Sequence, residues 1–129
     1  MLHTPPEFID LTPELRERME KFREEHASDP VGNVGTRMLF EDEKVRVWEM
    51  QLAPGEASDL HQHEHDYYLV VFQGDLVAGI PPKGNPVEPF VARVPPEGNT
   101  VGIPKGGIEW ALNVGEKTYY EILVELKDT

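Results

Sequence analysis

Three histidines fall within five residues, and this cluster is the clearest chemical signal in the sequence. The segment reads His61-Gln62-His63-Glu64-His65. On a β-strand, residues two apart point to the same face, so His61 and His63 would present two imidazoles side by side. Such a pair is a metal-ligand geometry, and imidazole combined with carboxylate suits Fe, Mn, Ni, Co, Cu or Zn. The alternative interpretation is a polar surface loop that happens to be rich in histidine.

The residues just after the cluster leave the ligand set open. Strict alternation would place His65 on the face that carries His61 and His63. The polar run over 64–66, however, indicates a turn before the apolar strand that follows. His65 and Asp66 are therefore weaker candidates for the metal site.

The composition excludes several classes of function. The chain of 129 residues carries 12 Lys plus Arg against 24 Asp plus Glu, a formal net charge of −12, whereas a nucleic-acid-binding surface needs a basic excess. The absence of cysteine removes disulfides, thiol catalysis and thiolate metal sites. The longest apolar run, 67–72, is far shorter than the roughly 20 residues of a membrane-spanning helix. No secretory signal is visible either, so we expect a cytoplasmic protein without membrane or nucleic-acid partners.

The N-terminal part of the chain carries a helix signal. Thr12 offers a capping oxygen, the proline after it suits the first helical position, and the next acid faces the positive end of the helix dipole. Leu15, Met19 and Phe22 then recur at helical spacing among charged residues. The pattern predicts one amphipathic helix near residues 13–26.

From residue 36 onward, the apolar pattern alternates, and turn signals rich in Gly and Pro recur between the apolar runs. Both features predict an all-β sandwich or barrel. We therefore divide the chain into an N-terminal helical segment, 1–35, packed on the barrel, and a barrel domain, 36–129. Nine strands are expected, near residues 36–40, 45–52, 59–63, 67–73, 76–80, 87–94, 100–103, 108–113 and 118–126.

Two of these strands raise the question of what covers the sheets. The run over 67–72 is apolar on both faces, so it needs cover from a second sheet, the N-terminal helix or a second subunit. Because one helix is little cover for the apolar surface, we expect a homodimer. The last strand alternates between an apolar face and a face with two glutamates, and it is expected to be half exposed.

Two glycine-bounded segments carry a recognisable spacing. The first contains Gly55, His61, His63, Tyr67 and Gly74, and the second contains Gly98, Pro104, Gly106, Glu109 and Asn113. Both spacings resemble the two signature motifs of the cupin superfamily, and the resemblance covers roughly residues 46–126. It implies a single cupin-type antiparallel β-barrel, jelly-roll-like, around one metal ion, with the N-terminal helix beside it.

The resemblance also implies a ligand set. In that family the first motif supplies two His and a Glu, and the second motif supplies a further His. His61 and His63 match the two His positions, Tyr67 stands where the family usually has Glu, and Glu109 stands where it usually has the last His. With Glu109 facing inward, two imidazoles and a carboxylate would form a facial triad, which favours Fe or Mn, with Zn or Ni as alternatives. Tyr67 would either ligate the ion through its phenolate or, as we prefer, donate a hydrogen bond beside it.

Two classes of function follow from this interpretation. The first is a divalent-metal-dependent enzyme, oxygenase-like or isomerase-like, in which the ion, Tyr67 and Glu109 act on a small oxygen-bearing molecule. The second is a non-catalytic cupin that binds a metal or a small ligand. One fold hosts many activities, so the resemblance does not choose between the two.

Overall fold

The computed structural model describes residue 3 and residues 5–129. Within them it contains one α-helix and ten β-strands. In chain order these are β1 (Glu7–Phe8), α1 (Pro13–Glu25), β2 (Arg37–Glu41), β3 (Val45–Leu52), β4 (His61–Gln62), β5 (Tyr67–Gln73), β6 (Leu76–Ile80), β7 (Phe90–Arg93), β8 (Asn99–Ile103), β9 (Ile108–Asn113) and β10 (Tyr119–Leu126). No helix in the described part of the chain is long and apolar enough to cross a membrane.

The described strands form two five-stranded sheets, and all their pairings are antiparallel. The first sheet has the order β1-β7-β6-β9-β4, and the second has the order β2-β3-β10-β5-β8. The expected antiparallel β-class is therefore confirmed, but the sheets do not close into a barrel. Two edge strands of the first sheet, β1 and β4, are only two residues long, so they offer little backbone to a ladder that would join the sheets.

Strand bounds differ from the sequence expectation where the chain cannot sustain a ladder. Pro89 interrupts the run over 87–94, and proline has no N–H to give to a neighbouring strand, so β7 begins only at Phe90. The strand expected over 59–63 is reduced to β4. Strand β1 is not among the predicted strands, because a strand of two residues has no period to detect.

Helix α1 covers the outer face of the first sheet. The Thr12 side chain accepts a hydrogen bond from the Leu15 backbone N–H at 3.2 Å, as its capping role predicts. Met19 is buried in a cluster with Trp110 and other residues of that face. The Phe22 ring meets the Trp110 ring edge to face, with centroids 5.8 Å apart. Trp110 therefore packs under the helix, away from the residues that line the cavity.

The two faces of the second sheet differ in how much of their side chains is exposed. On β5, Tyr67 is buried while Tyr68 and Phe72 are each 48% exposed, so the outer face has no cover within the described chain. Strand β10 is predicted to be half exposed. In the structure, its buried face is the one that carries the two glutamates. Glu121 and Glu125 are each 4% exposed. The carboxylate of Glu125 accepts a hydrogen bond from the indole N–H of Trp48 at 2.6 Å, which offsets the cost of its burial.

Candidate metal centre

A cavity of about 190 Å³ lies between the two sheets. Its walls are mostly apolar, with Met50, Leu69, Val71, Val77 and Leu123 among the lining residues. Polar side chains also reach it from both sheets: His61, His63, Tyr67, Asn99, Glu109, Tyr119 and Glu121. An apolar cavity with a few convergent polar groups is the common form of a small-molecule site.

Pairing between β4 and β9 brings the first two candidate ligands together. His61 lies directly opposite Glu109 in this antiparallel ladder. Side chains at such positions stand about 5 Å apart at their Cβ atoms and share one face. The register therefore turns both groups toward the cavity from adjacent strands.

His63 lies beyond the end of β4, so strand alternation does not place it as the sequence predicts. Instead, two backbone hydrogen bonds of 2.8 Å hold the residue, from its N–H to the Gly107 carbonyl and from the Gly106 N–H to its own carbonyl. Gly106 has φ of +117°, a conformation that side-chain-bearing residues rarely adopt. The glycine pair after β8 thus fixes the position of the second imidazole.

The three candidate ligands form a compact group. One ligand atom from each of His61, His63 and Glu109 lies within 4.8 Å of the others. The distance from His63 Nε2 to Glu109 Oε1 is 3.8 Å, which is too long for a hydrogen bond. Two ligands of one ion, each at about 2.1 Å, lie at most about 4.2 Å apart. This pair therefore has a separation that a shared metal ion can span.

His61 has the protonation state and orientation that a metal ligand needs. Its Nδ1 lies 2.9 Å from the Asp59 carbonyl and 3.3 Å from the Ser58 hydroxyl. A carbonyl can only accept, so the proton lies on Nδ1 and the lone pair on Nε2 is free for a metal. Burial lowers the pKa of His61, which keeps the ring neutral at neutral pH.

His63 is held by ring contacts. The Tyr67 ring stacks on it with centroids 4.0 Å apart and an interplanar angle of 11°. The His61 ring meets it edge to face at 4.9 Å. Its Nδ1 is buried without a hydrogen-bond partner among the described residues. The nitrogen near the Glu109 carboxylate is the other one, Nε2, and it is the candidate ligand atom of this ring.

Tyr67 is placed beside the group rather than in an exposed position. It is 5% exposed and lines the cavity. Burial, together with the charges of Glu109 and Glu121, raises the pKa of the Tyr67 hydroxyl well above its usual range. The group is therefore a phenol that donates hydrogen bonds, in line with the preferred role, and its assignment as a ligand stays a prediction.

The weaker candidates lie elsewhere. Among the described residues, the group of potential metal ligands contains neither His65 nor Asp66. Asp66 is engaged in the turn, where its Oδ1 accepts a hydrogen bond from the Lys105 backbone at 2.9 Å. The turn predicted over 64–66 thus separates these residues from the cavity.

Two residues of the site were missed by sequence reasoning. Gly79 on β6 lies between Phe90 and Ala111 in the sheet, and a Cβ there would overlap the Phe90 ring and lie 2.9 Å from Glu109 Oε2. Its lack of a side chain makes room for the Glu109 carboxylate. The other missed residue, Glu121, faces the cavity from β10. Its alternation with Tyr119 and Leu123 was a usable signal.

Comparison with known proteins bears on this fold. No family model matches the sequence, and no curated protein matches it. Several solved structures, in contrast, superpose on this fold. A cupin domain from Bordetella pertussis superposes with a TM-score of 0.59 at 19% identity, over 74% of this chain and 99% of that one. An RmlC-like cupin family protein with a double-stranded β-helix fold, from Methanocaldococcus jannaschii, gives 0.55 at 17% identity, over 98% and 92%.

A third match is an oxalate oxidase in complex with the substrate analogue glycolate. Its TM-score is 0.52 at 24% identity, over 76% of this chain and 56% of that one. Two facing antiparallel sheets with these neighbours define the class: the chain has the cupin fold, the double-stranded β-helix. The resemblance drawn from the two sequence motifs is confirmed at the level of the fold. Cupins commonly bind a metal, and His61, His63 and Glu109 form a group that could hold one.

Proposed function

We propose that this protein is a divalent-metal-dependent enzyme that acts on a small oxygen-bearing molecule, an oxygenase-like or isomerase-like cupin. The observation that carries the proposal is the grouping of two imidazoles and a carboxylate, from His61, His63 and Glu109, at the wall of a ligand-sized cavity. The donor set fits a metal ion, because the His61 imidazole is held neutral with a free Nε2 and the His63 Nε2 atom lies 3.8 Å from the Glu109 carboxylate.

Each residue has a distinct task in this proposal. A bound divalent ion supplies Lewis-acid chemistry or activates O₂, and a His₂-carboxylate set favours Fe or Mn, with Zn or Ni as alternatives. Glu109 contributes the anionic ligand. The Tyr67 phenol stacks on His63 and donates a hydrogen bond to an oxygen of the substrate. The apolar walls exclude water from the bound molecule.

The alternative is a non-catalytic cupin that binds a metal or a small ligand. Two observations favour it: Tyr67 replaces the usual Glu of the first motif, and Glu109 replaces the usual His of the second. The likeness to the oxalate oxidase supports the fold only. The two carboxyl groups of the cavity also suit an oxalate dianion poorly.

The test is elemental analysis of protein purified without added metal. We expect one divalent ion per chain in the wild type, little in His61→Ala/His63→Ala, and a reduced content in Glu109→Gln, because metal affinity depends on ligand number and charge. His65→Ala is the matched control, since it removes a nearby histidine outside the group, and its metal content should equal that of the wild type.

The outcomes separate the interpretations. Equal metal content in the wild type and the double variant would remove the proposed site. Loss of metal in the His65→Ala variant would move the ligand set toward the turn. If iron dominates, O₂ uptake is measured with candidate substrates. A stoichiometric metal without any turnover would favour the non-catalytic alternative.

A further inference from the structure

The segment that leads into β4 pairs with β9 in a register that changes just before His61. Ala57 lies opposite Leu112 in an isolated antiparallel bridge, whereas His61 lies opposite Glu109. Between these two pairs the chain advances four residues on one side, from 57 to 61, and three on the other, from 112 to 109. One extra residue therefore stands opposite β9, and such an insertion is a β-bulge.

The bulge decides which face of the sheet His61 occupies. Side chains directly opposite each other in a ladder share one face. Continued without the bulge, the ladder would set Leu60 opposite Glu109 and would turn His61 away from the cavity. In the structure, Leu60 instead packs in the cluster with Trp110, under the helix. His61 takes the cavity face beside Glu109.

The Ser58 side chain holds the chain where the bulge begins. Its backbone N–H bonds to the Ala111 carbonyl at 2.8 Å, as in a regular ladder. The return bond, from the Ala111 N–H, goes to the Ser58 hydroxyl at 2.9 Å. A side-chain oxygen thus accepts the β9 amide at the position where a regular antiparallel ladder would use the Ser58 carbonyl.

The same hydroxyl reaches the group that orients the His61 ring. It donates a hydrogen bond to the Asp59 carbonyl at 2.9 Å and lies 3.3 Å from His61 Nδ1. The Asp59 carbonyl in turn accepts a hydrogen bond from His61 Nδ1 at 2.9 Å. One hydrogen-bond network therefore joins β9, the strand that carries Glu109, to the imidazole of His61.

We propose that Ser58 is a positioning residue for the metal centre: its hydroxyl stabilises the bulge and so keeps the His61 imidazole in one group with the other two candidate ligands. The inference rests on the proposed function, because it concerns the same metal-ligand group. Without the hydroxyl, the Ala111 N–H loses its acceptor, and a shift that brings the Ser58 carbonyl into the ladder would satisfy it. That shift removes the bulge and takes His61 off the cavity face.

The test measures metal binding and the state of the His61 ring separately. Metal-free protein is titrated with Mn²⁺ by calorimetry. The tautomer of His61 is read from the ring nitrogen shifts of the ¹⁵N-labelled, metal-free protein at about pH 8, where an imidazole is neutral. Thermal unfolding of each variant is recorded alongside.

Three variants are compared with the wild type. Ser58→Ala removes the hydroxyl, and Ser58→Thr keeps it. Thr12→Ala is the matched control, because the Thr12 hydroxyl also accepts a hydrogen bond from a backbone N–H, but at the start of the helix.

We expect Ser58→Ala to weaken Mn²⁺ binding about tenfold to a hundredfold, the range for lost support of a ligating histidine. Its metal-free form should also lose the single Nδ1–H tautomer of His61 that the wild type shows. Ser58→Thr should keep this tautomer and bind Mn²⁺ within about threefold of the wild type, because the hydroxyl remains. Thr12→Ala should lower the thermal midpoint without changing the Mn²⁺ affinity.

Three results would overturn the inference: wild-type Mn²⁺ affinity in Ser58→Ala, an equal loss in Ser58→Ala and Ser58→Thr, or an Nε2–H tautomer of His61 in the metal-free wild type. The tautomer separates this failure from failure of the proposed function. A wild type that binds metal without any dependence on Ser58 keeps the function and loses the inference. A wild type that binds no metal loses the function, while a tautomer that is lost in Ser58→Ala and restored in Ser58→Thr keeps the inference.

Discussion

Replacement of Glu121 by glutamine should change how the stability of the fold depends on pH. The amide has the same shape as the carboxyl group, but it does not ionise. In the unfolded chain a glutamate has a pKa of 4.5, whereas burial in the cavity raises the pKa of Glu121 to about 7. Below pH 4.5 both states of the wild type hold the proton, so this group adds no pH dependence there.

The sign follows from which state binds the proton. Between the two pKa values, the folded state keeps the proton while the unfolded state loses it, so the wild type becomes less stable as the pH rises. A difference of about 2.5 between the pKa values corresponds to about 3 kcal/mol in the free energy of unfolding. Above about pH 7 both states are ionised, and the loss is complete.

The assay is urea unfolding followed by tryptophan fluorescence from pH 5 to pH 8, with chelator present so that no bound cation alters the charge in the cavity. Glu121→Gln should gain stability relative to the wild type as the pH rises, by about 2 to 3 kcal/mol over this range. Glu121→Leu should show the same trend, because it also removes the ionisation. A difference between variant and wild type that stays constant with pH would refute the reasoning.

Two further predictions concern the shape of the site and of the outer surface. Gly79→Ala should lower the stability by about 1 to 3 kcal/mol and reduce the metal content, because its Cβ would overlap the Phe90 ring and crowd Glu109; unchanged thermal midpoint and metal content would show that the sheet yields. Phe72→Asp should turn the expected homodimer into a 14.6 kDa monomer in sedimentation, because it charges the exposed apolar face of the second sheet. A wild type that is already monomeric at micromolar concentration would contradict the expected dimer.

The part of the site that sequence could predict is the part with local signals. His61 and His63 are separated by one residue between a turn and an apolar strand, and the motif spacing places Glu109 on a second strand. What the sequence does not contain is the β4–β9 register that sets His61 opposite Glu109. Nor does it contain the turn at Gly106, which holds His63 after its strand has ended.

The part that sequence reasoning missed is non-local. A strand with glutamates on one face normally turns that face to water, since burial of a carboxylate without partners is costly. In β10, Glu125 faces inward because the Trp48 indole, from a strand distant in sequence, donates a hydrogen bond to its carboxylate. These two residues are 77 apart in sequence, so single-strand alternation identifies the two faces without telling which one is inside.

The two cavity glutamates take different places in one site. The Glu109 side chain is 25% exposed and faces His63 at 3.8 Å, a separation that a shared divalent ion can span. Glu121 is 4% exposed on the opposite sheet, and burial raises its pKa to about 7. A divalent ion bound by Glu109 would offset the negative charge that contributes to this shift. The pH dependence of stability in the Glu121 variants is therefore measured with the chelator present, and a smaller pH dependence is expected in the metal-loaded protein.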